Sequence, residues 1–197
     1  MSLGYSNISR IPLGYQGWHR TNLSIQFDDE PEPLSAGDIF PKCNLSLLKP
    51  LKDATYLGIE ISSKTVRMID IPADYIYVEI YNERCSGCVE EIKNYKVLYE
   101  NFNKNSELST RIKIIGIGAG SKSRNVARFR KIYEIPFPLF ADSNWKLFEC
   151  LGSPALPTSY LIKRIGDDQR QIVFVQSDHI EDVNSLMRRI SGMLLKN

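Results

Sequence analysis

The stretch "NERCSGCVEE" at residues 82–91 places two cysteines, Cys85 and Cys88, one helical turn apart, directly after the apolar and aromatic run "YIYVEIYN" at 75–82. The run reads as a strand buried on both faces. Beyond the pair, Val89, Ile92, Tyr95, Leu98 and Phe102 recur at helical spacing, which predicts an amphipathic helix over 86–103. Cys85 then falls at the helix N-cap, where unpaired backbone N–H groups and the helix dipole favour a thiolate and so a nucleophile. Cys88, one turn further in, is within reach of a disulfide and is expected to be the more buried, resolving thiol. Ser86 and Gly87 keep the turn small and leave the first sulfur open to a partner. Two inert buried thiols, or half of a zinc site, are the competing readings. Zinc needs four ligands, often as two close pairs, whereas Cys43, Cys150, His19 and His179 are each isolated in the sequence.

Outward from the pair, Glu79 lies six residues before Cys85, in the strand. A carboxyl there is expected to point inward beneath the cysteines. Burial would raise its affinity for a proton and suit it to take one from Cys88; the competing reading is a solvated strand glutamate. Downstream, "RIKIIGIGAG" (111–120) predicts a second buried strand and "SRNVARFRKIY" (123–133) a helix. "FPLFAD" (137–142) predicts a short extended piece, and "NWKLFECLG" (144–152) a short helix with Cys150 buried. "TSYLIKR" (158–164) and "RQIVFVQ" (170–176) predict strands around a Gly-Asp-Asp turn. Ile180, Val183, Met187, Ile190 and Leu194 mark a closing helix. From residue 75 the order is β–α–β–α–(β)–α–β–β–α, an α/β sandwich on a central mixed sheet. Upstream, "TYLGIEI" and "TVRMIDI" alternate around "SSK" and predict a hairpin. Residues 1–35, rich in Pro, Gly and isolated aromatics such as Tyr15, Trp18 and Phe27, read as an arm or linker, with one domain over 36–197. "LGY" at 3–5 and 13–15 is too short to be a structural repeat.

The "ALPTSYLI" segment brings Leu156-Pro157-Thr158 to the start of a strand. With the cysteine pair, it makes residues 36–195 resemble the thioredoxin-fold proteins, in which a Cys-x-x-Cys helix start is matched by a cis-proline followed by Thr. The resemblance implies a thioredoxin-like three-layer sandwich, with Pro157 beside the disulfide and the Leu156 backbone available to an extended partner peptide. It matches Glu79 to the family's buried acid, with Glu in place of the commoner Asp. "IKIIGIGAGSKSRNVARFRKIYEIPFPLFAD" resembles the central insertion of TlpA-like and AhpC/TSA-type redoxins, and "AGDIFPKCNLSLL" their entry segment. Arg84 stands where the family usually carries an aromatic, beside the partner-binding loop. The spacer is Ser-Gly, and a family glycine after the last strand is not evident in "VFVQSDHIED".

The resemblance implies a thiol–disulfide oxidoreductase. Its redox pair would be Cys85 and Cys88, with Glu79 moving a proton and Leu156, Pro157, Thr158 and Arg84 lining the partner site. No bound cofactor or metal is needed. The partners would be disulfide-containing or dithiol proteins, with an upstream redox partner. Members of the TlpA-like branch are usually exported, which implies an extracytoplasmic location, periplasmic or membrane-tethered. "MSLGYSNISR" has no apolar core of the signal-peptide kind, so this expectation goes with a native leader or anchor trimmed away, and a cytoplasmic location stays open as the alternative. Two other readings stay open. A peroxidase would use Cys85, although the Pro-x-x-x-Thr-x-x-Cys pattern meets Val78 and Asn82 in place of Pro and Thr. A non-catalytic binding module would keep the fold alone.

Composition narrows the remaining classes. With 25 Lys and Arg against 23 Asp and Glu, the net charge of +2 calls for neither nucleic acid nor an anionic membrane. "GIGAG" at 116–120 fails the dinucleotide pattern because residue 121 is Ser. Lys122, Arg124, Arg128 and Lys131 read as a solvated helix face. Cys43 could bridge Cys150 or act as a third redox thiol. His19 and His179 have no companion in the sequence that suggests a catalytic pair.

Overall fold

The computed structural model describes residues 31–60, 64–177 and 179–195. Of the arm reading over residues 1–35, residues 1–30, with Trp18 and His19, lie outside them. The sheet is built on β3 (Tyr75–Tyr81), in which every side chain is buried. On one side it pairs in parallel with β4 (Ile112–Ala119), which pairs in parallel with β5 (Leu139–Asp142). On the other side it pairs antiparallel with β6 (Thr158–Ile165), which continues antiparallel to β7 (Gln169–Ser177). The order β5-β4-β3-β6-β7 is the mixed sheet that the connection pattern predicts.

The two faces of β3 carry separate cores because side chains alternate along a strand. Ile76, Val78 and Ile80 face a core with Phe40, Leu45, Met68 and Leu151. Tyr75, Tyr77 and Tyr81 face the long helix α2 (Ser86–Lys104) through Cys88, Ile92, Tyr95, Leu98 and Phe102. The same face takes Val126 and Phe129 of α4 (Ser123–Ile132) and Leu186, Ile190 and Leu194 of the closing helix α6 (Val183–Leu195). Between α2 and β4, α3 (Ser106–Arg111) is a short helix the sequence reading missed. It is opened by Asn105, whose side chain accepts from the amides of Glu107 and Leu108.

The expected N-terminal hairpin takes a different form. "TYL" at 55–57 ends a helix, α1 (Pro50–Leu57), rather than opening a strand. Pro50 fits the first helical turn, where its missing N–H costs nothing. The Asp53 carboxylate accepts from the Lys49 amide at 3.0 Å, and Gly58 closes the helix at φ +72°, a conformation glycine adopts without penalty. Ala54 and Leu57 are buried, so the inward spacing is helical and the apparent alternation through Tyr56, Gly58 and Glu60 has no strand beneath it. The antiparallel pair is instead β1 (Asn44–Ser46) with β2 (Thr65–Arg67), with α1 between them. "TVRMIDI" extends only to Arg67 because Asp70 accepts the Arg67 amide and guanidinium, folding 68–70 into a 3-10 turn. The entry segment crosses the edge of β7, with the Gly37 and Phe40 amides donating to Ile172 and Arg170 carbonyls, both at 2.8 Å.

α1 is tied to α4 by an ion pair. Arg130 Nη1 donates to both Asp53 oxygens at 2.8 and 3.0 Å, and both side chains are almost wholly buried. Removing one partner strands the other charge in the interior. Asp53→Ala is expected to cost about 3–5 kcal/mol of unfolding free energy, read as a lower urea midpoint with an unchanged slope. A loss under about 1 kcal/mol, the range of exposed pairs, would show that water reaches the pair.

Candidate functional site

β3 ends at Tyr81, and the chain turns into α2 over four residues. The turn is fixed by Asn82, whose Nδ2 donates to the Ala119 carbonyl at 2.7 Å while its Oδ1 accepts from the Arg84 amide at 2.9 Å. The Cys85 amide donates to the Asn82 carbonyl at 3.0 Å. Glu83 is held on the same side by Ser121 Oγ and by Asn125 Nδ2. Its burial, which works against charge, is outweighed by these hydrogen bonds, and its carboxyl is held below the ordinary range. Arg84, the predicted partner contact, is exposed.

Cys85 is the N-cap of α2, in extended backbone conformation, and its sulfur accepts from the Cys88 amide at 3.2 Å. This is the N-terminal placement that spacing predicts. Cys88 is fully buried and Cys85 is partly open, the asymmetry expected of resolving and attacking thiols. Burial pushes the Cys88 thiol well up from its ordinary value. The hydrogen bond to Cys85 and the nearby charges of Cys85 and Glu79 push the same way, against a smaller opposing hydrogen bond from the Asn82 backbone. Ionisation of Cys88 is therefore disfavoured where it sits.

Glu79 is 2% exposed on the α2 side of β3. Burial, reinforced by the charge of Glu91, holds its carboxyl well above the ordinary value of 4.5. The solvated-glutamate reading is excluded. Facing Cys85, the Leu156–Pro157 peptide is cis, and the Leu156 carbonyl lies 3.8 Å from Cys85 Sγ. Thr158 is 2% exposed, with Oγ1 donating to the Ala155 carbonyl at 2.6 Å, so it shapes the loop and presents no hydroxyl to a partner. The structure thus gathers Cys85, Cys88, Glu79, Leu156 and Pro157 at one end of the sheet.

Two residues join them: Glu91, which the sequence does not single out, and His179, which it leaves without a companion. Glu91 is 2% exposed on α2 and accepts at Oε1 from the Ile180 amide at 3.1 Å. The same oxygen meets His179 Nδ1 at 2.8 Å. His179 therefore has the companion the sequence did not display, supplied from 88 positions away. The signal available was Glu91 itself, a charge on the apolar face of an otherwise regular helix.

Cys150 is exposed, contrary to expectation. α5 (Lys146–Cys150) is short and turns Leu147 inward, leaving Cys150 on its outer flank. Cys43 is half-buried, its thiol pushed up to about 12 by burial and by the charges of Asp142 and Cys150. All four cysteines are free thiols, and Cys43 and Cys150 both line a cavity of about 440 Å³ that shares no residue with the Cys85 site. No group of three or more His, Cys, Asp or Glu side chains among the described residues could hold a metal ion. The glycines of "GIGAG" are packing features. Gly120 has φ +66°, and a Cβ there would fall 2.1 Å from the Trp145 indole.

The sequence model of the AhpC/TSA family matches residues 37–188. Among curated proteins, the chain is 23% identical over 136 residues to the thiol-disulfide oxidoreductase ResA of Bacillus thuringiensis (strain Al Hakam), covering 69% of this chain and 75% of that protein. Among solved structures, it is similar to the thiol:disulfide interchange protein DsbE of Chlorobium tepidum, with a TM-score of 0.61, 16% identity and coverage of 81% of this chain and 97% of that one. It is equally similar to Mycobacterium tuberculosis AhpC, with a TM-score of 0.60, 16% identity and coverage of 83% and 99%. These structures carry the thioredoxin-like fold and, at such identity, the fold alone.

Proposed function

The chain belongs to the AhpC/TSA family, and from that premise we propose that it is a thiol–disulfide oxidoreductase exchanging electrons with protein disulfides through Cys85 and Cys88. The observation that carries this is the half-open Cys85 sulfur at the α2 N-cap, facing the Leu156 carbonyl, with a buried Cys88 behind it. In the oxidising half-reaction for the protein, the Cys85 thiolate attacks a partner disulfide. A Cys85–partner bond forms and the partner's S–S bond breaks. Cys88 then gives its proton to Glu79 and attacks Cys85. The Cys85–Cys88 bond forms, the partner leaves with both sulfurs reduced, and the protein carries the disulfide. The reverse sequence oxidises a dithiol. Pro157 and the Leu156 backbone would seat the partner as an extended strand, and exposed Arg84 would meet its flank. The chain's own residues suffice for these steps.

The partners are proteins bearing disulfides or dithiols, and the proposed location is extracytoplasmic. No helix among the described residues is long and apolar enough to cross a membrane. The peroxidase reading has weaker support, because the Asn82 side chain that would replace the missing Thr is already committed to Ala119 and Arg84.

The test is a redox titration in graded thiol buffers, followed by alkylation and mass spectrometry of both cysteines. The expected result is one reversible two-electron couple joining Cys85 to Cys88, with a tenfold change per ~30 mV. Absence of exchange between the two sulfurs would overturn the proposal.

A further inference from the structure

We propose that His179 is a catalytic residue of the exchange reaction, an imidazole oriented by Glu91 that passes a proton to and from the partner's sulfur at Nε2. The inference rests on the oxidoreductase reading and adds to it a proton carrier on the partner side, distinct from Glu79 beneath Cys88.

The geometry has three parts. The first is orientation. Glu91 Oε1 accepts from the Ile180 amide at 3.1 Å and Oε2 from Asn94 Nδ2 at 3.1 Å. Asn94 Nδ2 also donates to the Ile180 carbonyl at 3.1 Å, so this carboxylate is pinned between α2 and the segment after β7. Facing an oxygen that already accepts, His179 Nδ1 carries the hydrogen of their 2.8 Å contact. That fixes the ring and its tautomer and leaves Nε2 as the working nitrogen.

The second part is place. A Cβ on Gly87, inside the Cys85–Cys88 turn, would lie 3.2 Å from both His179 Cε1 and Nε2 and 3.6 Å from Pro157 Cδ. The imidazole edge and Pro157, whose loop turns the Leu156 carbonyl toward Cys85, therefore both lie over the cysteine turn at Gly87. A partner strand laid along Leu156 and Pro157 passes this edge. Gly87 accommodates the ring because it has no side chain, which gives the Ser-Gly spacer a physical role.

The third part is access. The His179 side chain is 53% exposed while that of Glu91 is 3% exposed, so the ring is anchored from the interior and open to solvent at its outer edge. Its proton can be replenished between turnovers.

The step balances. The Cys85 thiolate attacks the nearer partner sulfur, the Cys85–S bond forms, and the partner's S–S bond breaks. The electron pair stays on the departing sulfur, which takes the proton from Nε2 and leaves as a thiol. The neutral imidazole recovers a proton from water. In the opposite direction, Nε2 removes the proton from the partner thiol that attacks the mixed disulfide. Such transfer matters in proportion to how basic the departing thiolate is.

That dependence supplies the test. His179→Asn keeps an amide donor for Glu91 but has no second nitrogen to carry a proton. Its exchange rate is compared with wild type on two substrates, a cystine-containing peptide whose alkyl thiolate leaves poorly and an aryl disulfide whose thiolate leaves without needing a proton. The expected result is a fall of about 100-fold on the peptide with little change on the aryl disulfide. Thermal melts of His179→Asn and His179→Ala report whether the fold is kept. Equal losses on both substrates, or no loss on the peptide, overturn the assignment of His179 alone. Wild-type protein inert toward both substrates overturns the oxidoreductase reading and the assignment with it.

Discussion

Cys85→Ser is expected to reduce disulfide exchange to the uncatalysed background, while Cys88→Ser keeps the first chemical step and halts at the second. The two outcomes differ because the sulfurs are placed differently. Cys85 sits at the open N-cap of α2, 3.8 Å from the Leu156 carbonyl, and is the sulfur a partner can reach. A serine hydroxyl there does not attack a disulfide. Cys88 is fully buried and meets a partner only through Cys85. Its loss leaves the Cys85–partner bond unresolved, so a covalent complex accumulates to about one equivalent, visible on non-reducing gels and released by reductant. The hydroxyl introduced at a buried site also costs about 1–3 kcal/mol, so Cys88→Ala serves as the companion variant. Exchange by Cys85→Ser at the wild-type rate would remove Cys85 from the mechanism. Trapping through Cys85→Ser rather than Cys88→Ser would reverse the two roles.

The parts of this site carried by local rules were legible from the chain. The run around Glu79, the helical spacing from Val89 to Phe102 and the cysteines at their junction each follow from one element and its neighbour. The burial pattern of β3 and α2 agrees with that reading. Pro157 was placed by its resemblance to a family pattern rather than by spacing alone. The Glu91–His179 pair was not legible, because its partners lie 88 residues apart and meet only when the end of β7 is brought over α2. The Asp53–Arg130 pair was hidden in the same way, with Arg130 lost among basic neighbours that are indeed exposed. The misread hairpin has another cause. Over a few residues, Tyr56, Gly58 and Glu60 fit an alternating pattern as well as a helix end, and the contact that decides is the Asp53 carboxylate on the Lys49 amide. Cys150 was misplaced because a five-residue helix is too short for its periodicity to fix which flank faces inward.

Glu79→Gln is expected to slow the protein while making it more stable at neutral pH, a combination that packing alone does not produce. The side chain is buried, and burial first, then the charge of Glu91, holds its carboxyl well above 4.5. In the unfolded chain the group ionises near its ordinary value. The native state therefore binds more protons than the unfolded state between that value and the raised one, and stability drains away as pH rises through the window. Gln carries no charge and escapes this loss. Its stability advantage should grow as pH rises above 4.5 and vanish as pH falls below it, where the wild-type carboxyl is protonated in both states. Activity moves the other way. Without a base beneath it, Cys88, whose thiol burial already pushes up, forms its thiolate rarely. The resolving step should slow about 100-fold, while formation of the mixed disulfide at Cys85 is unchanged. Stopped mixed-disulfide assays separate the two steps, and thermal melts at both pH values give the stability difference. A variant that loses stability equally at both would make Glu79 a packing group. Unchanged resolution would assign the proton from Cys88 to another acceptor.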